Sequence, residues 1–432
     1  MSQTLPADDG LTMRVRIGNI FGGSIGNLIE WYDFYVYNTF ALYFAKQFSA
    51  PTTSATQQFI TVFAIYAVGF FIRPVGGWIL GSLADRKGRR ASLSLSVTLM
   101  CVGSLIIAVL PTYSSIGVMA PVLLLVARLI QGISLGGEYA SSATYLSEMA
   151  LPKQRGFYAS FQYVTLIGGQ VLGSLTLLVM QSLYTAQQLE SWGWRIPFVL
   201  GAAFSVVGLY LRRGITESPD FERASREPRE SPMKMLLQHK REFFIVLGLT
   251  MGGTTAFYTY TTYMTTYLTN TVKLSRENAN LISLITLVIY ACIQPLFGAI
   301  SDRIGRRPVL MWFGILGTLC TVPLLTALSQ TRDFTTALVL VMAALVIVSG
   351  YTSINAVVKA ELFPTKVRAL GVGLPYAIAA SLFGGTAPYI ALQLKDWGVE
   401  SYFYWYVSFM CLCSLLVYFF MRDTKQTSRI GG

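Results

Sequence analysis

Two stretches decide how this chain is read: GSLADRKGRR at residues 81–90 and GAISDRIGRR at residues 298–307. In each, an apolar run gives way to a charged turn holding one Asp, Asp85 or Asp302, and a basic tail, Arg89-Arg90 or Arg306-Arg307. Asp302 follows Asp85 by 217 positions. A second pair keeps nearly that spacing. Glu148, seven residues before Arg155, and Glu361, seven before Arg368, lie 213 positions apart. One such match is plausible by chance, but two in the same order are not. The chain reads as a duplicated unit.

The surroundings of those turns say what kind of unit repeats. Hydrophobic residues make up 53% of the 432 and charged residues only 12%, where a soluble domain carries about a quarter charged. Apolar runs of about 20 residues, each enough to cross a bilayer as a helix, recur from Ile17 to Met421. This excludes a soluble enzyme, a disordered tail and a collagen-like chain. The first half holds spans at roughly 17–45, 58–84, 92–111, 118–147, 157–184 and 193–212. The second holds spans at roughly 243–270, 279–300, 308–328, 335–359, 367–394 and 401–421. The charged, Pro-containing segment 213–241 divides a six-helix half, 1–212, from a second, 242–432. Duplicated halves around a midplane site are the architecture of alternating-access transporters.

The net charge of +12 follows from topology. Lys and Arg gather in loops on one side, which puts both termini in the cytoplasm, and no nucleic-acid partner is needed to explain them. Asp8 and Asp9 precede the first basic residues, so no cleavable signal is expected. Cys101, Cys292, Cys320, Cys411 and Cys413 lie in apolar runs without zinc-ligand spacing and read as packing residues. His239, in a basic loop, reads as a solvated residue.

The charged turns resemble the signature loop of the major facilitator superfamily. Asn27-Leu-Ile-Glu30-Trp-Tyr-Asp33-Phe, Arg73-Pro-Val-Gly-Gly and Arg128-Leu-Ile-Gln-Gly-Ile-Ser-Leu-Gly-Gly-Glu138 are similar to its metabolite–proton symporters. Residues 156–170, 257–264 and 359–364 resemble the α-ketoglutarate-carrying branch of that family. The resemblance implies an all-α integral membrane protein, a twelve-helix fold of two pseudo-symmetric six-helix halves. It implies a monomeric, multi-pass protein of the bacterial inner membrane, surrounded by lipid, that imports the dicarboxylate with protons and uses no cofactor. Alternatives are a symporter for citrate, shikimate or an osmolyte, and a transport-silent sensor on the same fold. Osmolyte carriers of the family can end in a heptad extension, and residues 422–432 hold none. No ATP-binding loop, metal cluster or nucleophile–base pair is present in the sequence, so an enzyme is not expected.

Five ionisable residues fall inside the spans and away from their ends: Glu30, Asp33, Arg73, Arg128 and Glu138. Charges within a bilayer are costly, which makes each a functional candidate. Glu30 and Asp33 share a helix face. Arg73 lies twelve residues before Asp85, about 18 Å along a helix. Three acids against two bases leave one unmatched negative charge, which a proton on a carboxylate would remove. The plainer reading is a buried ion-pair network that fixes packing. By resemblance, Asp33 carries the proton and Arg128 is its switching partner, with Glu30 and Glu138 in the coupling group; Glu30 as the carrier stays open. Arg73 and Arg128, read as the intramembrane cations, are expected to meet substrate carboxylates. Gln162, Tyr163, Tyr258, Tyr351, Asn355 and Tyr376 are expected to line the same cavity. The resemblance makes Asp85, Arg89, Arg90, Glu148, Arg155, Asp302, Arg306, Arg307, Glu361 and Arg368 a cytoplasmic gate, in which Glu148 goes with Arg155 and Glu361 with Arg368. The plainer reading of these residues is a topology signal.

Overall fold

A computed structural model describes residues 13–52, 55–225 and 231–430. Asp8 and Asp9, read above for a signal, and the linker residues 226–230 lie outside them. All regular structure among the described residues is helical. The first helix, α1, is Met13–Phe44. The eleven helices after it, among the described residues, are long and apolar enough to cross a membrane. They are α2 Thr61–Lys87, α3 Arg89–Val109, α4 Met119–Met149, α5 Arg155–Leu183, α6 Gly193–Arg212 and α7 Lys240–Tyr260. Then follow α8 Arg276–Ile304, α9 Arg306–Gln330, α10 Phe334–Leu362, α11 Thr365–Asp396 and α12 Ser401–Phe420.

At 32 residues, α1 is about 48 Å long, yet it is less apolar than the rest. It buries Asn19, Asn27, Glu30 and Asp33, and protein rather than lipid surrounds them. Asn27 Nδ2 donates to the Gln162 carbonyl at 2.6 Å and to Thr165 Oγ1 at 3.0 Å on α5. At the α1–α5 crossing a Cβ on Gly169 would lie 2.5 Å from the Leu28 carbonyl, so the backbones meet directly. Large apolar side chains face outward instead, among them Val206 and Val207 on α6, Leu319 on α9 and Phe409 on α12. A soluble protein would hide these.

The seventh span is not one helix, as its sequence suggested. It stops at Tyr260 and resumes as Met264–Asn270. Thr259 and Thr261 turn their hydroxyls back onto the carbonyls four residues earlier, at 2.7 Å each, a habit that bends helices. The Tyr263 N–H then reaches the Tyr258 carbonyl, one residue beyond an α turn.

The two repeated turns have one backbone. Gly88 and Gly305 both sit at φ 105°, where a side chain is strained. After each turn a carboxylate from a distant segment binds two helix-starting N–H groups. Glu217 accepts from Arg89 and Arg90 at 3.0 and 3.2 Å, and Asp423 accepts from Arg306 and Arg307 at 3.1 and 3.2 Å. Negative charge there complements the helix dipoles. Burial pushes the Glu217 carboxyl up, and the N–H groups of Ser218 and Arg90 pull it back. Arg16 donates to the Met149 carbonyl and Arg155 to the Ile430 carbonyl. Both ends of the described chain therefore gather at the end of the bundle that carries these turns.

Candidate functional site

Arg73, on α2, is 3% exposed. Its guanidinium lies 3.9 Å from the Phe70 ring centroid, 4.5 Å from Phe34 and 5.6 Å from Trp31. Nη1 donates to the Tyr258 hydroxyl at 3.2 Å, while Nε and Nη2 have no partner. Arg128, on α4, is built alike, 4.2 Å from the Tyr37 ring and 4.9 Å from Phe34. Its Nη1 donates to Gln131 Oε1 at 2.6 Å, and its Nε and Nη2 are likewise unpartnered. The aromatic faces steady both cations and leave forked donors of the kind that bind carboxylates.

Asp33 and Arg128 are not in direct contact. Gln131 Nε2 donates to Ser104 Oγ at 3.0 Å, and Ser104 donates to Asp33 Oδ2 at 2.7 Å, so two neutral side chains join them. Asp33 Oδ1 has no partner. On α6, a Cβ at Gly201 would fall 1.9 Å from that oxygen, so glycine is what lets α6 close over the carboxylate.

Glu30 presents a different proton geometry. Ser134 Oγ lies 2.5 Å from Glu30 Oε1 and 2.6 Å from the Ser96 carbonyl. A serine has one proton and a carbonyl only accepts. Both contacts are hydrogen bonds when Glu30 carries a proton and gives it to Ser134. Ser104, which accepts from Gln131 and donates to Asp33, suits an ionised Asp33.

The count of three acids against two bases needs correction. Glu138 is matched by Arg212, which bonds both carboxylate oxygens. Arg212, the last residue of the span read at 193–212, is 1% exposed; it also donates to the Gly22 and Gly23 carbonyls at 3.2 and 3.1 Å. Nor are Arg73 and Arg128 the only cations inside. Lys359 is fully buried, and its Nζ donates to Asn355 Oδ1 at 2.9 Å, the Tyr139 hydroxyl at 3.0 Å and the Tyr351 hydroxyl at 3.4 Å. Three cations without a carboxylate partner, Arg73, Arg128 and Lys359, thus face two acids without a basic one, Glu30 and Asp33, among the described residues.

The expected lining residues divide between these cations. Tyr258 belongs to Arg73. Tyr351 and Asn355 hold Lys359, whose Nζ also lies 4.2 Å from the Tyr376 ring; Tyr376 stacks on Tyr139 with centroids 3.5 Å apart. Tyr163 meets Phe257 edge-on at 5.4 Å. The Gln162 amide is buried with neither polar atom partnered.

At the turn-bearing end the two copies interlock. Asp85 accepts from the N–H groups of Ala369 and Leu370 at 3.0 and 2.9 Å. Asp302 accepts from Gly156 and Phe157 at 2.8 Å each. Each aspartate thus sits on a helix start in the opposite half, where N–H groups and the dipole favour an anion. The carboxylate pairing differs from the expected one. Glu148 takes Arg89 through two bonds, at 3.0 and 2.9 Å, and Arg368 at 2.6 Å. Glu361 takes Arg306 at 3.4 Å. Arg155 bonds Ser428 and Ile430 instead. Spacing within the sequence sets the depth of these residues, whereas packing of the halves sets their partners. Arg90 and Arg307 turn outward and bond the Arg213 and Phe419 carbonyls, each bracing a helix end.

The family described as "Sugar (and other) transporter" matches residues 20–231 and 221–430. The chain belongs to this family of the major facilitator superfamily. It is 51% identical to the alpha-ketoglutarate permease of Escherichia coli (strain K12), covering 99% of both chains. It is 33% identical to a citrate-proton symporter of Salmonella typhi, over 96% of this chain and 95% of that one. The solved proton:xylose symporter XylE, bound to 6-bromo-6-deoxy-D-glucose, shares the fold with a TM-score of 0.80 at 22% identity, covering 98% of each chain.

A major facilitator transporter moves its substrate by opening one end at a time, and here the interlocked end is shut. Neither Asp85 nor Arg89 reaches the central cations. Asp85→Asn is therefore expected to slow net transport while the half-saturating substrate concentration stays within a few-fold, measured as uptake against concentration. A large loss of affinity at normal turnover would place Asp85 in the binding site. Two residues with a part at the centre escaped sequence reading, Arg212 and Lys359, since both stand near span ends. For Lys359 a signal existed: Tyr351, Asn355 and Lys359 are four apart and share one helix face.

Proposed function

We propose that this transporter imports α-ketoglutarate across the bacterial inner membrane by proton symport. The observation that carries this reading is the pairing of unmet groups at the centre: guanidinium donors of Arg73 and Arg128 without a carboxylate, beside Glu30 and Asp33 without a base. A dicarboxylate answers the first and an exchangeable proton the second. The similarity to the alpha-ketoglutarate permease supports the substrate. The proton:xylose and citrate-proton symporters support the coupling.

In this reading residues 1–212 and 242–432 rock as two halves joined by 213–241, around one central site. The turn-bearing end faces the cytoplasm, as its Lys and Arg content favours. Protonation of Asp33 ends its pull on Arg128 through Gln131 and Ser104 and frees that guanidinium for a substrate carboxylate. Loss of the proton on the cytoplasmic side returns Arg128 to Asp33 and expels the substrate. Protons are the coupling ion, no other cofactor is used, and the monomer suffices.

A tricarboxylate is the second reading, favoured by the third unpaired cation and by the citrate-proton symporter. Uptake by the purified protein in proteoliposomes separates the two, using labelled α-ketoglutarate, citrate, shikimate and betaine with and without an inside-alkaline gradient. α-Ketoglutarate is expected to accumulate, and only with the gradient. Citrate accumulation alone would favour the second reading, betaine uptake without any carboxylate would overturn both, and no uptake of any of them would point to a sensor.

Arg73 gives a sharper test of charge matching. Arg73→Gln is expected to weaken dicarboxylate binding more than Arg73→Lys, because Lys keeps the charge and loses only the fork. Equal affinity of wild type and Arg73→Gln would return Arg73 to a packing role.

A further inference from the structure

We infer that Lys359 is the carboxylate anchor opposite the two arginines: Arg73 and Arg128, both over the Phe34 ring, take one end of the substrate and the Lys359 ammonium takes the other. The inference rests on the dicarboxylate reading above.

The position of Lys359 follows from helix geometry. On α10, which runs toward the closed gate, Cα–Cβ bonds tilt toward the helix start. From Lys359 the side chain therefore leads away from Glu361 and the gate and toward the centre. That is why its Nζ meets Asn355 and Tyr351, four and eight residues earlier. The third contact, the Tyr139 hydroxyl, comes from α4 in the other half. Tyr139 also donates to Asn355 Oδ1.

The surroundings of Lys359 are polar but carry no charge of opposite sign. Its three N–H donors meet two phenols and an amide, and no carboxylate lies within ion-pair distance among the described residues. A buried ammonium so placed is costly. A structural lysine would gain stability from an acid or from replacement by an apolar side chain. An anchor must keep its charge unneutralised until the anion arrives, and weak neutral acceptors hold it in position meanwhile. Glu138, by contrast, is matched by Arg212 through both carboxylate oxygens.

Arg73 and Lys359 both adjoin α11. One turn after Arg73, a Cβ on Gly77 would lie 3.5 Å from the Ala377 side chain of α11, and Lys359 Nζ lies 4.2 Å from the ring of Tyr376, the residue before Ala377. The two cations come from opposite halves, Arg73 from α2 and Lys359 from α10, with α11 packed against both. A substrate with a carboxylate at each end spans both halves, whereas a monocarboxylate reaches the cations of only one half. The same pair therefore sets both the preference for dicarboxylates and the link between binding and movement of the halves.

The test is binding to wild type, Lys359→Met, Lys359→Arg and Arg73→Gln, purified in detergent, with thermal melting recorded for each. The probes are α-ketoglutarate and two analogues that each keep one end, 2-oxopentanoate and 4-oxobutanoate. Lys359→Met is expected to lose about 30-fold or more in α-ketoglutarate affinity, the scale for removing one member of a buried charge pair. It should weaken one analogue and spare the other, and Arg73→Gln should do the reverse. Lys359→Arg should retain most of the dicarboxylate preference. If Lys359→Met keeps the wild-type preference, or weakens all three probes equally, the inference is overturned and the dicarboxylate reading stands. If the wild type binds no dicarboxylate at all, both are overturned together.

Discussion

Asp33→Asn is expected to abolish proton-driven accumulation of α-ketoglutarate while sparing exchange of labelled for unlabelled substrate. Asn cannot titrate, so it holds Asp33 in its neutral form. In that form the carrier loads, turns and unloads whenever substrate returns with it, because exchange needs no net proton release. The contact from Ser104 at 2.7 Å survives, since the Asn side-chain oxygen accepts as the carboxylate did. Arg128→Ala should lose exchange as well, because it removes a donor to substrate and strands Gln131. Glu30 supplies the contrasting outcome. If Glu30 is the carrier, Glu30→Gln shows the uncoupled pattern and Asp33→Asn loses binding. Concentrative uptake by Asp33→Asn would end the proposal for Asp33.

The second large effect is expected at Glu148. Its carboxylate accepts from Arg89, Arg368 and Ser218, and the two arginines come from opposite halves. Both are fully buried. Asp85 lies 3.2 Å from Arg89 and Asp220 3.0 Å from Arg368, but Glu148 is the anion that bonds both arginines. Glu148→Gln halves its acceptors and removes the charge that joins them, leaving each guanidinium with one acid. Breaking a buried pair costs about 3–5 kcal/mol, and the remaining aspartates offset part of it. The ratio of open to closed gate should therefore rise roughly 10-fold or more. Hydrogen exchange at the Ala369 and Leu370 amides reads this directly, since Asp85 holds both only while the halves interlock. Exchange there should quicken and net uptake should slow. Unchanged exchange at both amides would show that Glu148 does not hold the gate.

These expectations rest on side chains of very different legibility. The helices were readable because apolar length is a local property, and even α1, the most polar, showed its span. The repeated turns were readable because Gly88 and Gly305 have a backbone need that leaves a mark in sequence. Arg212 and Lys359 were misplaced for one reason: a long basic side chain near a span end has the same sequence signature whether it turns to water or reaches inward. The gate partners were hidden for another. Glu148 and Arg368 lie 220 residues apart, and only the docking of one half on the other brings them together. The break in α7 depends on Thr259 and Thr261 bonding their own backbone, a choice that hydropathy does not record.

The central claim is that substrate and proton move inward together. Its most direct measurement is the pH inside proteoliposomes, reported by a trapped dye, when α-ketoglutarate is added outside with no gradient imposed. The interior is expected to acidify in step with uptake in the wild type and not in Asp33→Asn. Uptake of α-ketoglutarate by the wild type without internal acidification would contradict the account.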